Sequence, residues 1–122
     1  MDELTLPNLE ELKEIQLGSL KAWTISEGEG ESPEKGSAVT VNYSGWLTSG
    51  ELFDSSYSRG DAFSFELGHG VIEGWSEAVS QMKSGQKVVV EIPADKAYGN
   101  QSVGPIPAGS TLFFLIELVD FF

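Results

Sequence analysis

The side chains that most often carry out covalent or metal chemistry are scarce in this sequence. Its 122 residues include a single histidine, His69, and no cysteine. A transition-metal site usually takes several His or Cys ligands, so none is expected here. A Ser-His-Asp triad would have to use His69, and residues 74–78 lack the second glycine of a nucleophile elbow. The sequence therefore predicts no metal, no cofactor and no hydrolase chemistry.

Glycine-rich segments do not match the common nucleotide-binding motifs. The sequence contains no Walker A motif. Gly68, Gly70 and Gly74 lie between a predicted strand and a predicted helix, as in a dinucleotide fingerprint. Their spacing is one residue too long, and no repeated βαβ pattern surrounds them. A nucleotide cofactor is therefore not predicted.

Aromatic and branched side chains are concentrated beside the predicted turns. The aromatic ones are Tyr43, Phe53, Phe63, Trp75 and Tyr98. Taken alone, such residues in strands more often form a core than a pocket. Residues 71–75, Val-Ile-Glu-Gly-Trp, follow a glycine-bearing turn and begin a helix pattern. Their bulk and position suggest the floor of a pocket at a helix start.

The elements that would position these residues follow from hydrophobic periodicity. Alternation predicts extended segments over residues 21–25, 39–47, 52–56, 63–67, 87–93 and 111–119. Ile72, Trp75, Val79 and Met82 fall at helical spacing and predict one helix over residues 73–82. The connections are short, apart from a loop over residues 94–110. The pattern predicts an α+β fold, with about five mostly antiparallel strands and one helix packed on one face.

The first 19 residues are predicted to form an acidic, helical extension. Asn8 is followed three residues later by Glu11, which approximates a capping box. Leucines recur every third residue from position 6, with an isoleucine at 15. This division gives an extension, 1–19, and one domain, 20–122. The extension packs on the domain, frays as a tail, or binds a partner.

The charge of the chain excludes several classes of partner. Seven Lys and Arg against 19 Asp and Glu give a formal net charge of −12. Such a surface repels phosphate backbones and anionic membranes, so nucleic acid and membranes are not expected partners. The charge favours solubility or, alternatively, a basic partner. No 18-residue apolar run and no signal-peptide pattern are present, so a cytoplasmic monomer is predicted.

A series of short motifs occurs in a fixed order along the chain. They are Val-x-Tyr-x-Gly (41–45), Gly-x-x-Phe-Asp-Ser-Ser (50–56), Phe-x-Phe-x-Leu-Gly (63–68), Val-Ile-x-Gly-Trp (71–75), Met-x-x-Gly (82–85), Ala-Tyr-Gly (97–99) and Ile-Pro-x-x-x-x-Leu (106–112). Together they resemble the FKBP-type peptidyl-prolyl cis-trans isomerases over about residues 20–120. The resemblance implies a twisted antiparallel sheet of about five strands wrapped around one short helix, with the pocket between them.

The resemblance also implies which residues form the site. The implied catalytic residues are Tyr43, Phe53, Asp54, Trp75 and Tyr98, and the implied substrate-binding residues are Phe63, Val71, Ile72, Ile106 and Phe114. The backbone N–H of Ile72 and the hydroxyl of Tyr98 would bind carbonyls of a prolyl peptide or a macrolide. Trp75 would lie under the proline ring. Asp54, near Tyr43 and Arg59, would be the one charged group in the wall.

The function implied is rotation about X–Pro peptide bonds during protein folding, with X–Pro polypeptides as substrates and macrolides as possible inhibitors. No bond is made or broken in that reaction, which suits a chain with one His and no Cys. The alternative is a non-catalytic binding module with the same fold.

Two rim loops differ from the common family pattern. The turn Gly68-His69-Gly70 is one residue shorter, and the loop from Gly99 to Ile106 is shortened and lacks a histidine.

Overall fold

The alternating segments form one antiparallel sheet in the computed structural model, which describes residues 3–122. The sheet has seven strands, two more than the approximate number predicted. The strands are β1 (Lys13–Leu17), β2 (Leu20–Ser26), β3 (Ala38–Leu47), β4 (Leu52–Ser55), β5 (Phe63–Glu66), β6 (Lys87–Ile92) and β7 (Leu112–Phe121). Their order in the sheet is β1-β2-β6-β7-β3-β4, and β5 pairs with β3 beyond this path. The predicted α+β class is confirmed.

Strand β7 lies in the middle of the sheet, as its continuous apolar run predicted. It pairs with β3 from Val39↔Phe121 to Leu47↔Leu112, with one register shift after Thr40. On its other side it pairs with all of β6. This central pairing fixes the relative positions of the strands that carry Tyr43 and Phe114.

Two α-helices connect the strands. The first, α1 (Ser56–Arg59), is a single turn capped by the hydroxyl of Ser55, and the sequence had indicated only a polar excursion there. The second, α2 (Glu73–Val79), is shorter than predicted. It packs tightly on β6, since a Cβ added at Gly74 would lie 2.5 Å from Ile92. Within residues 3–122, no helix has the length and apolarity to cross a membrane.

The predicted N-terminal helix forms only as one 3-10 turn, Leu9–Glu11. Its cap is the predicted one, because Asn8 Oδ1 accepts a hydrogen bond from the N–H of Glu10 at 3.2 Å. The prediction that the helix continues through Ile15 is wrong, because Lys13–Leu17 forms β1 and pairs with β2 along its whole length. The helical spacing of four apolar residues is a weak local signal, and strand pairing with Ile15 opposite Ala22 outweighs it.

The sheet buries apolar side chains on both faces. We call the larger group, on the side of α2, the helix-face cluster; it includes Val41, Tyr43, Trp75, Val90 and Phe114. We call the smaller group the back cluster; it comprises Trp23, Trp46, Val89 and Leu115, with Leu6, Leu9 and Leu12 packed on it. Neighbouring residues such as Phe114 and Leu115 alternate between the two clusters, as the pleat of a strand requires.

Candidate active site

A cavity of about 160 Å³ lies at the start of α2 on the helix face of the sheet. Its walls are mostly aromatic. The lining residues are Tyr43, Phe53, Asp54, Phe63, Gly70, Val71, Ile72, Trp75, Tyr98 and Phe114. The fold thus brings together every residue implied for the site except Ile106, and it adds Gly70.

Trp75 forms the floor of this cavity, with 5% of its surface exposed. The rings of Tyr43, Phe63 and Phe114 meet it edge-on at centroid distances of 4.9, 6.0 and 5.4 Å. Edge-to-face contacts of this kind fix ring orientation more strongly than simple burial does. The buried indole Nε1 has no hydrogen-bond partner in residues 3–122. The floor is therefore held by three edge-on ring contacts and contains one buried, unpaired donor.

Gly45 allows two of the walls to close on each other. A Cβ at this position would lie 2.7 Å from ring atoms of both Phe53 and Phe114. These two rings pack edge-on across it, with centroids 5.6 Å apart. Gly45 also pairs with Asp54 across β3 and β4, which brings the carboxylate to the cavity. Any larger residue here would push a wall of the cavity out of place.

The one carboxylate in the wall, Asp54, is held by two neighbours. The hydroxyl of Tyr43 donates to Asp54 Oδ2 at 2.5 Å, and the guanidinium of Arg59 donates to Oδ1. Arg59 also donates to the Tyr43 hydroxyl at 3.0 Å and lies over the Tyr43 ring, 5.7 Å from its centroid. Arg59 reaches this position because α1 ends there.

The charges of this triad follow from its geometry. Burial alone would raise the pKa of Asp54, but the hydrogen bonds from Tyr43 and Arg59 and the charge of Arg59 hold it below its usual value. Burial, followed by the hydrogen bond to Asp54, raises the pKa of Tyr43. At neutral pH the triad thus holds an anionic Asp54, a neutral Tyr43 and a cationic Arg59. It presents a fixed dipole to the cavity and no free base.

Like the buried Nε1 of Trp75, the backbone N–H of Ile72 and the hydroxyl of Tyr98 in the lining have no partner within residues 3–122. Ile72 is the N-cap of α2, and its N–H is not used in the helix. Tyr98 follows a 3-10 turn, Ala94–Lys96, at the start of the long loop. The two elements present one donor each to the same cavity.

The remaining implied residue, Ile106, does not line the cavity. It is 4% exposed and packs into the helix-face cluster. Its N–H and carbonyl bond to Val103 at 2.9 Å each, which closes a short turn in the loop. His69 lies on the exposed rim, where Nε2 is 3.2 Å from Glu66. Across residues 3–122, no group of three or more His, Cys, Asp or Glu is arranged for a metal ion.

Sequence reasoning placed the aromatic walls but missed two contributions to them. Gly70 carries no side chain that could have marked it as lining. The sequence placed Arg59 near Asp54, but not the single-turn helix that holds it. Ser55 at the head of Ser-Tyr-Ser-Arg was the available signal, since its hydroxyl accepts the N–H of Ser58 at 3.3 Å.

The comparisons with known proteins agree with this site. The family model described as FKBP-type peptidyl-prolyl cis-trans isomerase matches residues 29–119. This chain belongs to that family. It is therefore an isomerase of the FKBP type, and the aromatic cavity fits the binding pocket of such a protein.

Similar proteins cover most of this FKBP-type chain. FK506-binding protein 2 of Debaryomyces hansenii is 45% identical over 108 residues, 88% of this chain and 79% of the relative. FK506-binding protein 1 of Dictyostelium discoideum is 48% identical over 99 residues, 80% of this chain and 92% of the relative. The FkpA isomerase of Escherichia coli is 46% identical over 96 residues but is longer, since the match spans 35% of it.

Solved structures share the fold of this FKBP-type chain. The crystal structure of FkpA from Escherichia coli aligns with a TM-score of 0.78 at 44% identity, covering 84% of this chain and 47% of that one. The crystal structure of AtFKBP13 aligns with a TM-score of 0.77 at 34% identity, covering 83% and 91%. The twisted antiparallel sheet around a short helix is confirmed.

Proposed function

We propose that the cavity accelerates rotation about X–Pro bonds of polypeptides during protein folding. The observation that carries this proposal is a small aromatic cavity, floored by Trp75, with two open donors and no free base or nucleophile. A planar, apolar proline ring suits such a floor. The one carboxylate, Asp54, is already neutralised by Arg59 and bonded to Tyr43.

Desolvation explains how such a cavity would act. Rotation about an amide passes a barrier of about 18–20 kcal/mol, because conjugation must be broken. The twisted amide has lost its resonance dipole and is less well hydrated than either planar form. A dry aromatic cavity therefore disfavours the planar ground states more than the twisted state. Each difference of about 1.4 kcal/mol between them changes the rate tenfold.

The polar groups would hold the substrate while the bond turns. The N–H of Ile72 and the hydroxyl of Tyr98 would bind carbonyls on either side of the rotating bond. Fixing both sides leaves rotation within the cavity as the free motion. The dipole of Asp54, Tyr43 and Arg59 would stabilise the twisted amide electrostatically. Phe53, Phe63, Val71 and Phe114 would exclude water.

We also propose that FK506-like macrolides bind in the same cavity and compete with peptide. The names of the relatives, FK506-binding proteins, support this proposal. Assisting the folding of X–Pro polypeptides as a chaperone belongs to the same proposal. The test is the inhibition of peptide isomerisation by FK506, with competition between the two ligands as the expected pattern.

The remaining features are proposals of the same kind. We propose a monomer, because within residues 3–122 the exposed large apolar residues are few: Leu4, Val103, Val119 and Phe122. Sedimentation at several concentrations tests this. We propose that residues 20–122 contain the groups that contact substrate and that 1–19 are an extension, although β1 within it pairs with β2 of the sheet. The cytoplasmic location stays a prediction from the sequence.

A protease-coupled isomerisation assay across tetrapeptides that differ in the residue before proline tests the central proposal. We expect the cis-to-trans step to be faster than uncatalysed exchange, which takes about tens to hundreds of seconds. Binding of the peptide without acceleration would instead support the non-catalytic module. The preferred residue before proline would come from the same series.

A further inference from the structure

A polar network that includes α2 lies outside the lining of the cavity. The carboxylate of Glu77 accepts from both the N–H and the hydroxyl of Ser19, each at 2.5 Å, through Oε2. Its Oε1 accepts from Nζ of Lys96. Nζ of Lys96 also donates to the Ser19 hydroxyl at 2.6 Å. The three side chains form a closed triangle.

Each member of this triangle comes from a different element. Ser19 is in the turn between β1 and β2, Glu77 is in α2, and Lys96 ends the 3-10 turn Ala94–Lys96. Glu77 is on the same seven-residue helix as Trp75, and that helix begins directly after its N-cap, Ile72. Lys96 is two residues before Tyr98. The network therefore ties the element with the floor to the element with the hydroxyl.

The segment around Tyr98 would follow any movement of Lys96. The N–H groups of Ala97 and Gly99 both donate to the carbonyl of Ala94, at 3.0 and 2.8 Å. Tyr98 lies within this closed turn, so its backbone moves with the turn as a unit. The only side-chain bonds of the turn, within residues 3–122, are those of Lys96 to Glu77 and Ser19.

The side chain of Glu77 lies close against the β1–β2 turn. Gly18 has φ +63°, and a Cβ there would lie 2.6 Å from Oε2 of Glu77. The side chains of Lys96 and Glu77 are 24% and 22% exposed, so water screens the pair only in part. Burial opposes ionisation, but the bonds from Lys96 and Ser19 lower the pKa of Glu77 to about 2.

We propose that Ser19, Glu77 and Lys96 are positioning residues that set the location of the Tyr98 hydroxyl relative to Trp75 and the N–H of Ile72. The proposal rests on the proposed isomerase function. It also gives the N-terminal extension a part in activity, because β1 forms the hairpin that presents Ser19. The extension acts on the site through the turn and touches no substrate.

A second ion pair supplies a matched control. Lys87 and Glu3 are joined at 3.2 Å, with side chains 14% and 34% exposed, in the same range of burial as Lys96 and Glu77. Glu3 belongs to the segment over the back cluster, and Lys87 lies over the ring of Tyr57. Breaking this pair removes a comparable interaction without any connection to Tyr98.

The experiment compares Lys96→Met with Lys87→Met in the full chain. Stability is measured by urea unfolding. The kinetic constants kcat and KM are measured with a prolyl tetrapeptide under conditions in which each variant is fully folded. We expect Lys96→Met to lower kcat/KM by about threefold to tenfold and Lys87→Met to leave it unchanged. Lys96→Arg should restore most of the loss. Equal kcat/KM in Lys96→Met and wild type would overturn the proposal.

A double-mutant cycle with Tyr98→Phe separates positioning from general loosening. If Lys96 acts through the Tyr98 hydroxyl, Lys96→Met should have little further effect once that hydroxyl is absent. An undiminished effect in the Tyr98→Phe background would contradict the proposal. Glu77→Gln replaces Lys96→Met in the cycle if the latter does not fold. An inactive wild-type chain would count against the isomerase function itself, which is a different outcome.

Discussion

Trp75 and Trp46 lie in two aromatic clusters on opposite faces of the sheet, and the clusters differ in their cover and in the partners of the indole N–H groups. Trp75, in the helix-face cluster, has no partner for its Nε1 within residues 3–122 and lies under an open cavity. Trp46, in the back cluster, is fully buried, and its Nε1 donates to the carbonyl of Leu4 at 3.1 Å. The N-terminal segment covers the back cluster, whereas the helix-face cluster leaves a cavity over Trp75.

Both clusters are rich in aromatic residues, so aromatic content does not distinguish them. They differ in what covers them and in the hydrogen-bond partners of their polar groups. On the back face, the carbonyls of Glu3 and Leu4 satisfy Ser44 and Trp46, and three leucines seal the apolar surface. On the helix face, the N–H of Ile72 and the hydroxyl of Tyr98 have no partner within residues 3–122. Aromatic content marks both faces alike, so composition alone does not tell a site from a core.

The largest expected effects come from truncating the two tryptophans. Trp75→Ala and Trp46→Ala should each destabilise the fold by about 3–5 kcal/mol, because each removes a buried indole. Only Trp75→Ala should also abolish most activity per folded molecule, since it removes the floor of the cavity. Urea unfolding and the isomerisation assay at low temperature measure the two effects separately.

Full activity of Trp75→Ala on a prolyl tetrapeptide would contradict the role of Trp75 as the floor of the active cavity. The contrast between the two variants would also fail if Trp46→Ala lost as much activity as Trp75→Ala while still folded. Where Trp75→Ala does not fold, Trp75→Leu serves in its place, because it keeps apolar bulk but lacks the flat ring under the substrate.

Removing the cover from the back cluster should cost stability without touching the site. Deleting residues 1–12 exposes Trp46 and the leucine-covered surface, and we expect a loss of about 2–4 kcal/mol from the area uncovered. Activity at low temperature should be retained, because β1 and Ser19 remain. Deleting Phe122, which is 87% exposed but donates its N–H to the carbonyl of Ala38 at 2.9 Å, is a control for terminal change and should have a much smaller effect on stability. An unchanged unfolding midpoint after the larger deletion would show that the segment is not a cover.

Smaller effects are expected from single polar groups of the cavity. Tyr98→Phe and Asp54→Ala should each lower kcat/KM by about tenfold or less, which corresponds to about 1.4 kcal/mol in the barrier. Their effect on stability should be smaller than that of Trp75→Ala. Steady-state kinetics and urea unfolding of the same preparations measure both. Loss of all activity in Tyr98→Phe would mean that hydrogen bonding, and not desolvation, dominates.

The smallest expected effect is a pH dependence of stability from Glu77. The pKa of this carboxylate falls from 4.5 to about 2 on folding, so it stabilises the fold above about pH 4.5. That stabilisation should be lost as the pH falls toward 2, by about 1 kcal/mol after allowing for solvent screening. Urea unfolding at pH 5 and pH 2.5 measures it. Glu77→Gln should show a smaller pH dependence, and equal slopes in both proteins would contradict this assignment.

The sequence predicted the parts of the site that depend on short motifs. Residues 71–75 were expected to be a floor at a helix start, and Ile72 and Trp75 line the cavity there. Local periodicity was sufficient because a strand alternates and a helix repeats over a few residues. The seven-strand sheet, the turn Ser56–Arg59 and the strand Lys13–Leu17 were missed, because each depends on pairing or caps that compete with weak local signals.

By itself, the sequence determined the family, the aromatic walls of the site and the absence of His and Cys clusters for other chemistry. Only the tertiary structure decided which aromatic cluster stays open, that Ile106 packs into the core, and that Ser19 meets Glu77 and Lys96. The last of these outcomes joins residues that lie 58 and 77 positions apart in the chain. Contacts at such separations depend on how strands pair and where loops end, which no local pattern of residues specifies.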